Sequence, residues 1–242
     1  MKKTFAHTFL TTLSIASVCL LSFASHAQKE NGISTEIELG AIFTSGNTED
    51  ENVQFKGSVN WVRDEWDYGF SIDGFRSSKQ DELAAQRMYY VGTANYALSE
   101  ESFILTRIAH EDDRFSGYDS QSDFSVNYGR NMLTSRANMS LTVNAGVGMR
   151  KSRSEVEDFD EAIIRLAGDY DWALSDTANF NQTLSAESGN ETSIFRSESS
   201  IETQILDNLS LKFSINIKHQ TEVPVGREKT DTETSITFVM NF

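Results

Sequence analysis

The chain has 242 residues, with 21 Lys+Arg against 36 Asp+Glu for a formal charge of −15, one proline and one cysteine. Phosphate binding draws on clustered Lys and Arg, so this balance excludes nucleic acid as a partner, and a single proline excludes collagen-like or Pro-rich architectures. A hydrophobic fraction of 38% with 11% aromatics is too low for a helical membrane protein and too aromatic and patterned for a disordered acidic tail.

Lys2 and Lys3 open the chain, and Phe9 to Phe23 is an apolar or small stretch without charge. Ser25-His26-Ala27 supplies small residues where a signal peptidase reads them, so residues 1–27 are expected to be a cleaved secretory signal peptide. A membrane anchor needs about 20 apolar residues, more than this core offers. Cys19 follows Val18 where lipoprotein processing wants a small residue, so no lipid anchor is expected. The mature chain would begin at Gln28 without a cysteine, hence without a disulfide or a thiol nucleophile.

From Ile33 the chain alternates apolar and polar residues, the period of strands. Ile33, Ile37, Leu39, Ala41 and Phe43 share one face of the first run. Val53, Phe55, Val59 and Trp61 follow, then Trp66, Tyr68, Phe70 and Ile72, then Met88, Tyr90, Ala94 and Tyr96. The run Ser102 to Glu111 is ambiguous: its odd face holds Phe103, Leu105 and Arg107, its even face Ile104, Ile108 and His110, and a bulge would reconcile the two phases. Later runs carry Phe124, Val126 and Tyr128; Met139 to Met149 at odd positions; Ala162, Ile164, Leu166, Tyr170 and Trp172; Phe180, Leu184 and Ala186; Phe195, Ile201 and Ile205; Leu209 to Ile217 at odd positions; and Ile236, Phe238, Met240 and Phe242. Twelve strands are therefore predicted.

Tight turns are predicted at Arg63-Asp64-Glu65, Ser99-Glu100-Glu101, Thr134-Ser135-Arg136, Ser175-Asp176-Thr177 and Leu206-Asp207-Asn208. Longer loops centre near Gly46, Asp81, Gly117, Glu155, Gly189 and Gly226. Short turns at one end and long loops at the other are the pattern of a bacterial outer-membrane barrel. Trp61, Trp66 and Trp172 lie beside short turns, where an aromatic girdle belongs, and Pro224 falls in a loop, so no strand loses a ladder donor. The terminal Phe242 on an alternating strand resembles the signal read by the barrel-assembly machinery. The reading is thus all-β: residues 28–242 form a single antiparallel up-and-down transmembrane β-barrel of about 12 strands in the outer membrane of a Gram-negative bacterium, meeting outer-membrane lipid and lipopolysaccharide. Its architectural rival is a soluble β-sandwich.

With the apolar face on lipid, the other face becomes a lumen holding Glu36, Glu38, Asp67, Asp73, Asp169, Asp171, Glu187, Glu198, Glu202, Asp231 and Glu233 against Lys56, Arg87, Arg150, Arg165, Arg196, Lys212 and Lys218. Mixed signs in a narrow barrel imply cross-strand ion pairs that fill it, with a narrow cation-preferring path as the alternative. Acidic runs at Glu49-Asp50-Glu51, Asp81-Glu82, Asp112-Asp113 and Glu155 to Asp158 place negative charge on the long loops, but none has the spacing of a calcium loop. His110 and His219 are the only histidines after Ala27. A lipid-facing phospholipase couples a His to a Ser two positions on, whereas His219 is followed by Thr221 and His110 by Asp112. No catalytic, metal or cofactor site is therefore assigned. A rim hydrolase acting on lipid or peptide, or a surface barrel binding cations or lipopolysaccharide through acidic loops, stands as the alternative to a structural barrel or narrow pore.

The stretch Glu38 to Thr48, E-L-G-A-I-F-T-S-G-N-T, resembles the opening signature of the YdiY-like family, described as salt-induced outer-membrane proteins of otherwise unknown function. Val223-Pro224-Val225-Gly226, Lys229 to Thr234 and the closing Asn241-Phe242 resemble its last loop and strand. The resemblance implies an outer-membrane barrel without assigned ligand or catalytic residues and a link to salt or osmotic stress.

Overall fold

The computed structural model describes residues 31–45, 51–79, 82–113, 118–154 and 158–242, without the side chains of 51–52, 76–79 and 82–85. The expected leader lies outside them, as do Gly46, Asp81, Gly117 and Glu155 and the acidic residues Glu49, Asp50 and Glu157. Twelve strands follow in chain order: β1 (Gly32–Ser45), β2 (Glu51–Arg63), β3 (Trp66–Lys79), β4 (Glu82–Ala97), β5 (Ser102–Asp113), β6 (Ser120–Met132), β7 (Met139–Arg153), β8 (Phe159–Ser175), β9 (Ala178–Ser188), β10 (Ser193–Leu206), β11 (Leu209–Gln220) and β12 (Thr230–Asn241). Each pairs antiparallel with its sequence neighbours, and β1 pairs with β12, so the sheet closes on itself. Closure leaves no ladder edge to be satisfied in hydrocarbon. Phe242 completes the seam: its N–H donates to the Thr35 carbonyl at 2.9 Å, and the Thr35 N–H returns the bond at 3.0 Å. Gly40 sits on the same seam, where a Cβ would lie 2.1 Å from the Ile236 carbonyl.

The alternation expected from sequence sorts the two faces. Leu39 opposes Phe238 and Ala41 opposes Ile236 on the exposed outer face, while Glu38 and Lys56 are register partners inside. Around the first short turn Trp66 stacks on Tyr68 at 5.6 Å, and Trp61 and Tyr96 tilt against the same pair at 5.5 and 4.9 Å, which builds the aromatic girdle at that end. Asp64 makes that turn at φ 54°, a conformation Asp tolerates, and its N–H donates to the Asn31 side chain at 2.7 Å.

Two sequence expectations change. The run from Ser102 has no bulge: β5 pairs with β4 and β6 in unbroken register, and its odd face is the inner one. Arg107 and Glu111 are buried in the lumen there, and Phe103 lies over Gly129, where a Cβ would meet the ring at 2.2 Å. The polar residues fix the phase, and the even apolar residues Ile104 and Ile108 face out. Register shifts occur instead at Ser77/Ser78, Ala173/Ser175 and Gln204/Leu206.

The contrast in loop length is also weaker than expected. Connections at the short-turn end run from two residues (64–65) to six (133–138), and those at the other end from two (80–81) to nine (221–229); the connection at Gly189 is only four (189–192). The strands continue past the apolar belt and absorb charged residues assigned to loops, Asp112 and Asp113 among them.

Candidate functional site

Inside the wall, charged side chains meet in two storeys. The storey nearer the short-turn end is a chain of contacts through seven strands. Lys212 Nζ lies 2.8 Å from Glu38 Oε1 and 3.4 Å from Glu198, which meets Lys56 at 3.4 Å. Lys56 reaches Asp73 at 3.3 Å, Asp73 reaches Arg87 at 3.2 Å, and Arg87 ends on Glu233. Thr237 donates its hydroxyl to the second oxygen of Glu38 at 3.2 Å. The links Lys56–Glu198 and Arg87–Glu233 join strands four places apart in the ring of twelve, so they cross the lumen rather than follow the wall.

The second storey centres on Glu187, 1% exposed, with Arg196, Arg165, Arg107 and Arg150 at 3.3, 3.5, 3.7 and 3.8 Å. Arg107 also pairs with Asp123 and donates to the Tyr89 hydroxyl at 2.5 Å. Arg150, 2% exposed, binds Glu161 at 2.7 Å and the Thr192 carbonyl at 2.5 Å. Arg196 lies over the Tyr89 ring at 5.3 Å. Glu111 on β5 receives Arg196 at 2.9 Å and Lys218 of β11 at 2.8 Å. In the order of the ring β5 and β11 are diametrically opposite. One ion pair therefore joins opposite walls of the lumen at that level.

Most of the expected lumen residues meet in the two storeys, and four more join them: Arg107, Glu111, Asp123 and Glu161. The first two were hidden by the uncertain phase of β5. Asp123 follows from the outward Phe124, and Glu161 from Ala162, so the alternation already held that signal. Below the lower storey the inner face carries Glu36, Asp67, Asp169, Asp171 and Glu202; Asn181 donates to Asp169 and Asp171 at 3.1 and 2.9 Å, and Thr183 to Asp169 at 2.9 Å. This vestibule is acidic.

On the outer face the two histidines take different surroundings. His219 Nδ1 meets the Thr230 hydroxyl at 2.8 Å, while Thr221 accepts the Ser193 N–H and does not serve His219. His110 Nδ1 lies 2.7 Å from Ser122 Oγ, its partner across the β5–β6 ladder, and Nε2 lies 3.3 Å from Asp112. Reading along a single strand missed Ser122, because the contact runs across strands. Among the described residues no group of three His, Cys, Asp or Glu is placed to hold a metal ion.

Residues 37–242 match the sequence profile of a family described as "Protein of unknown function, DUF481". The uncharacterized protein YdiY of Escherichia coli strain K12 is 24% identical over 206 residues, covering 83% of this chain and 79% of that protein. Among solved structures, the NanC porin superposes with a TM-score of 0.59 at 7% identity, covering 84% of this chain and 98% of the porin. The translocator domain of the autotransporter NalP from Neisseria meningitidis gives 0.54 at 8% identity, covering 90% and 91%. An outer-membrane channel from Pseudomonas putida F1 gives 0.53 at 9%, covering 89% and 97%. These likenesses establish the fold, that of bacterial outer-membrane barrels.

Proposed function

The chain belongs to the DUF481 family, the YdiY-like barrels, and on that footing we propose that it is a narrow outer-membrane pore kept shut by its own ion pairs, its interior serving passage and not chemistry. The observation that carries this reading is the 2.8 Å Glu111–Lys218 pair between opposite walls. Passage of a solute requires that pair and its neighbour Arg196–Glu111 to part. The acidic vestibule favours cations, because five inward carboxylates at one mouth attract counter-ions ahead of the constriction. A role in salt or osmotic stress would act on an interior held by charge pairs, of which the less buried, Lys56–Asp73 and Lys56–Glu198 among them, are the most open to screening as ionic strength rises. A signal peptide over residues 1–27 and assembly through the strand ending at Phe242 complete the proposal.

The test is single-channel conductance in a planar bilayer under a salt gradient, with heat-modifiable gel migration as proof of folding. The native barrel is expected to be silent or to open rarely, and Lys218→Ala with Arg196→Ala to give discrete, cation-selective steps. Equal steady conductance in native and variant barrels would remove the constriction. Anion preference would remove the role given to the vestibule.

A further inference from the structure

Ser122, His110 and Asp112 form a hydrogen-bonded line on the lipid-facing side of the wall, and the geometry points to a second activity there: we propose hydrolysis of the acyl ester of an outer-leaflet lipid, with Ser122 as nucleophile and His110 as its base. The claim goes beyond the pore, which uses the opposite face of the sheet.

The position is set by one rung of the ladder. Tyr90, His110, Ser122, Lys151 and Asp160 are successive register partners from β4 to β8. Immediately below them on the same face come the exposed apolar residues Ile108, Phe124 and Met149. The rung therefore marks where the apolar belt ends and the headgroup layer begins, the depth of an acyl ester bond.

The contacts are those acyl transfer needs. A serine hydroxyl is a weak nucleophile until a base takes its proton within hydrogen-bond reach. Ser122 Oγ lies 2.7 Å from His110 Nδ1. The Asp112 carboxylate, 3.3 Å from Nε2, favours the tautomer with the proton on Nε2 and leaves the Nδ1 lone pair toward the hydroxyl. The Tyr90 ring lies stacked beside the imidazole, 6.3 Å between centroids, and fixes its plane. One rung further out a concavity of about 740 Å³ opens on the outer face, lined by Gln86, Asp112, Ser120 and Arg153 among others. Its Arg153 stands among the carboxylates of Asp112, Asp119 and Asp158, a mixed lining that suits a zwitterionic lipid headgroup, phosphate on the guanidinium and ammonium on the acids. Backbone N–H groups in a strand are committed to the ladder, so the donor for a developing oxyanion must be a side chain. Lys151, the register partner of Ser122 with its ammonium 3.6 Å from Asp160, is the side chain assigned to that task, which it performs by turning from Asp160 to the oxyanion.

In the reaction Ser122 Oγ adds to the ester carbonyl carbon as His110 accepts its proton. The tetrahedral adduct collapses to an acyl-serine, and the lipid alcohol leaves with the proton from the imidazolium. Water, deprotonated by His110, then attacks the acyl-serine, releases the fatty acid and restores the hydroxyl. His219, paired with a threonine, makes a natural comparison on the same barrel.

The experiment uses the protein purified from membranes, with heat-modifiable migration as the folding control for every variant. An alkyl fluorophosphonate is expected to phosphonylate Ser122, found by mass spectrometry, and to spare Ser120 two positions away on the same face. Ser122→Ala and His110→Asn are expected to lose the label and to slow hydrolysis of a 4-nitrophenyl ester by at least ~100-fold, the scale of a general base. Asp112→Asn, a change at a positioning residue, is expected to lower kcat at unchanged KM. Fatty-acid release from phosphatidylethanolamine vesicles or from lipid A vesicles identifies which lipid supplies the ester. Labelling shared equally by Ser120 and Ser122, ester hydrolysis that survives Ser122→Ala, or no hydrolysis of any of the three esters would overturn the proposal. A barrel that conducts no ions would leave it untouched.

Discussion

Replacing Glu187 by Gln keeps the shape of the side chain and removes the charge at the centre of the upper storey. Four guanidinium groups face that carboxylate at 3.3 to 3.8 Å, and three of them have a second acid: Asp123 for Arg107, Glu161 for Arg150 and Glu111 for Arg196. Arg165 holds the Asn144 amide oxygen at 2.7 Å instead of a second carboxylate. The loss therefore falls mainly on Arg165, which is 8% exposed. Breaking a buried ion pair by removing one partner costs about 3–5 kcal/mol, because the other charge stays uncompensated; with three of the four arginines otherwise paired, the expected cost of Glu187→Gln is about 3 kcal/mol. The assay is urea unfolding of the detergent-folded barrel, read by the fraction migrating as the compact form. Arg165→Met in the same chain should recover most of the loss, since it removes the stranded cation and keeps the stem, and the double-mutant cycle isolates the coupling. A cost below about 1 kcal/mol, or an equal cost with and without Arg165, would show that the storey is solvated and its pairs are not what close the lumen.

Two further predictions concern the seam. Gly40→Ala places a Cβ 2.1 Å from the Ile236 carbonyl and is expected to destabilise the barrel by about 1–3 kcal/mol, the range for overpacking; an unchanged urea midpoint would mean that the seam has slack. Phe242→Ala keeps both backbone bonds to Thr35 and removes the terminal ring, so refolded stability should change little while the amount assembled in the outer membrane falls. Equal assembly in cells would deny Phe242 a part in recognition.

The strands were legible because one face meets lipid and the other a polar interior, which forces a strict period of two along almost every run. The exception, β5, is instructive. Leu105 and Ala109 face the lumen, where small or apolar residues are tolerated beside Arg107 and Glu111, and the two faces therefore look alike in hydropathy. Lumen membership could be read strand by strand, but not which charges meet, because Glu111 and Lys218 are joined only by closure of the ring. Ser122 illustrates the sensitivity of register. His110 pairs with Ser122 in the register of β5 against β6; a slip of two residues along β6 would pair His110 with Phe124 and no hydroxyl. The register of one ladder thus decides whether the histidine has a nucleophile beside it.

The chord between Glu111 and Lys218 also has a mechanical meaning. A closed sheet resists stretching along its hydrogen bonds but flattens easily into an ellipse, because bending between neighbouring strands strains little. Pairs that tie opposite walls act as spokes and hold the cross-section round against lateral pressure from the bilayer. If the proposed pore opens by parting those pairs, the open barrel is also the softer one, and membrane tension acts on the same bonds.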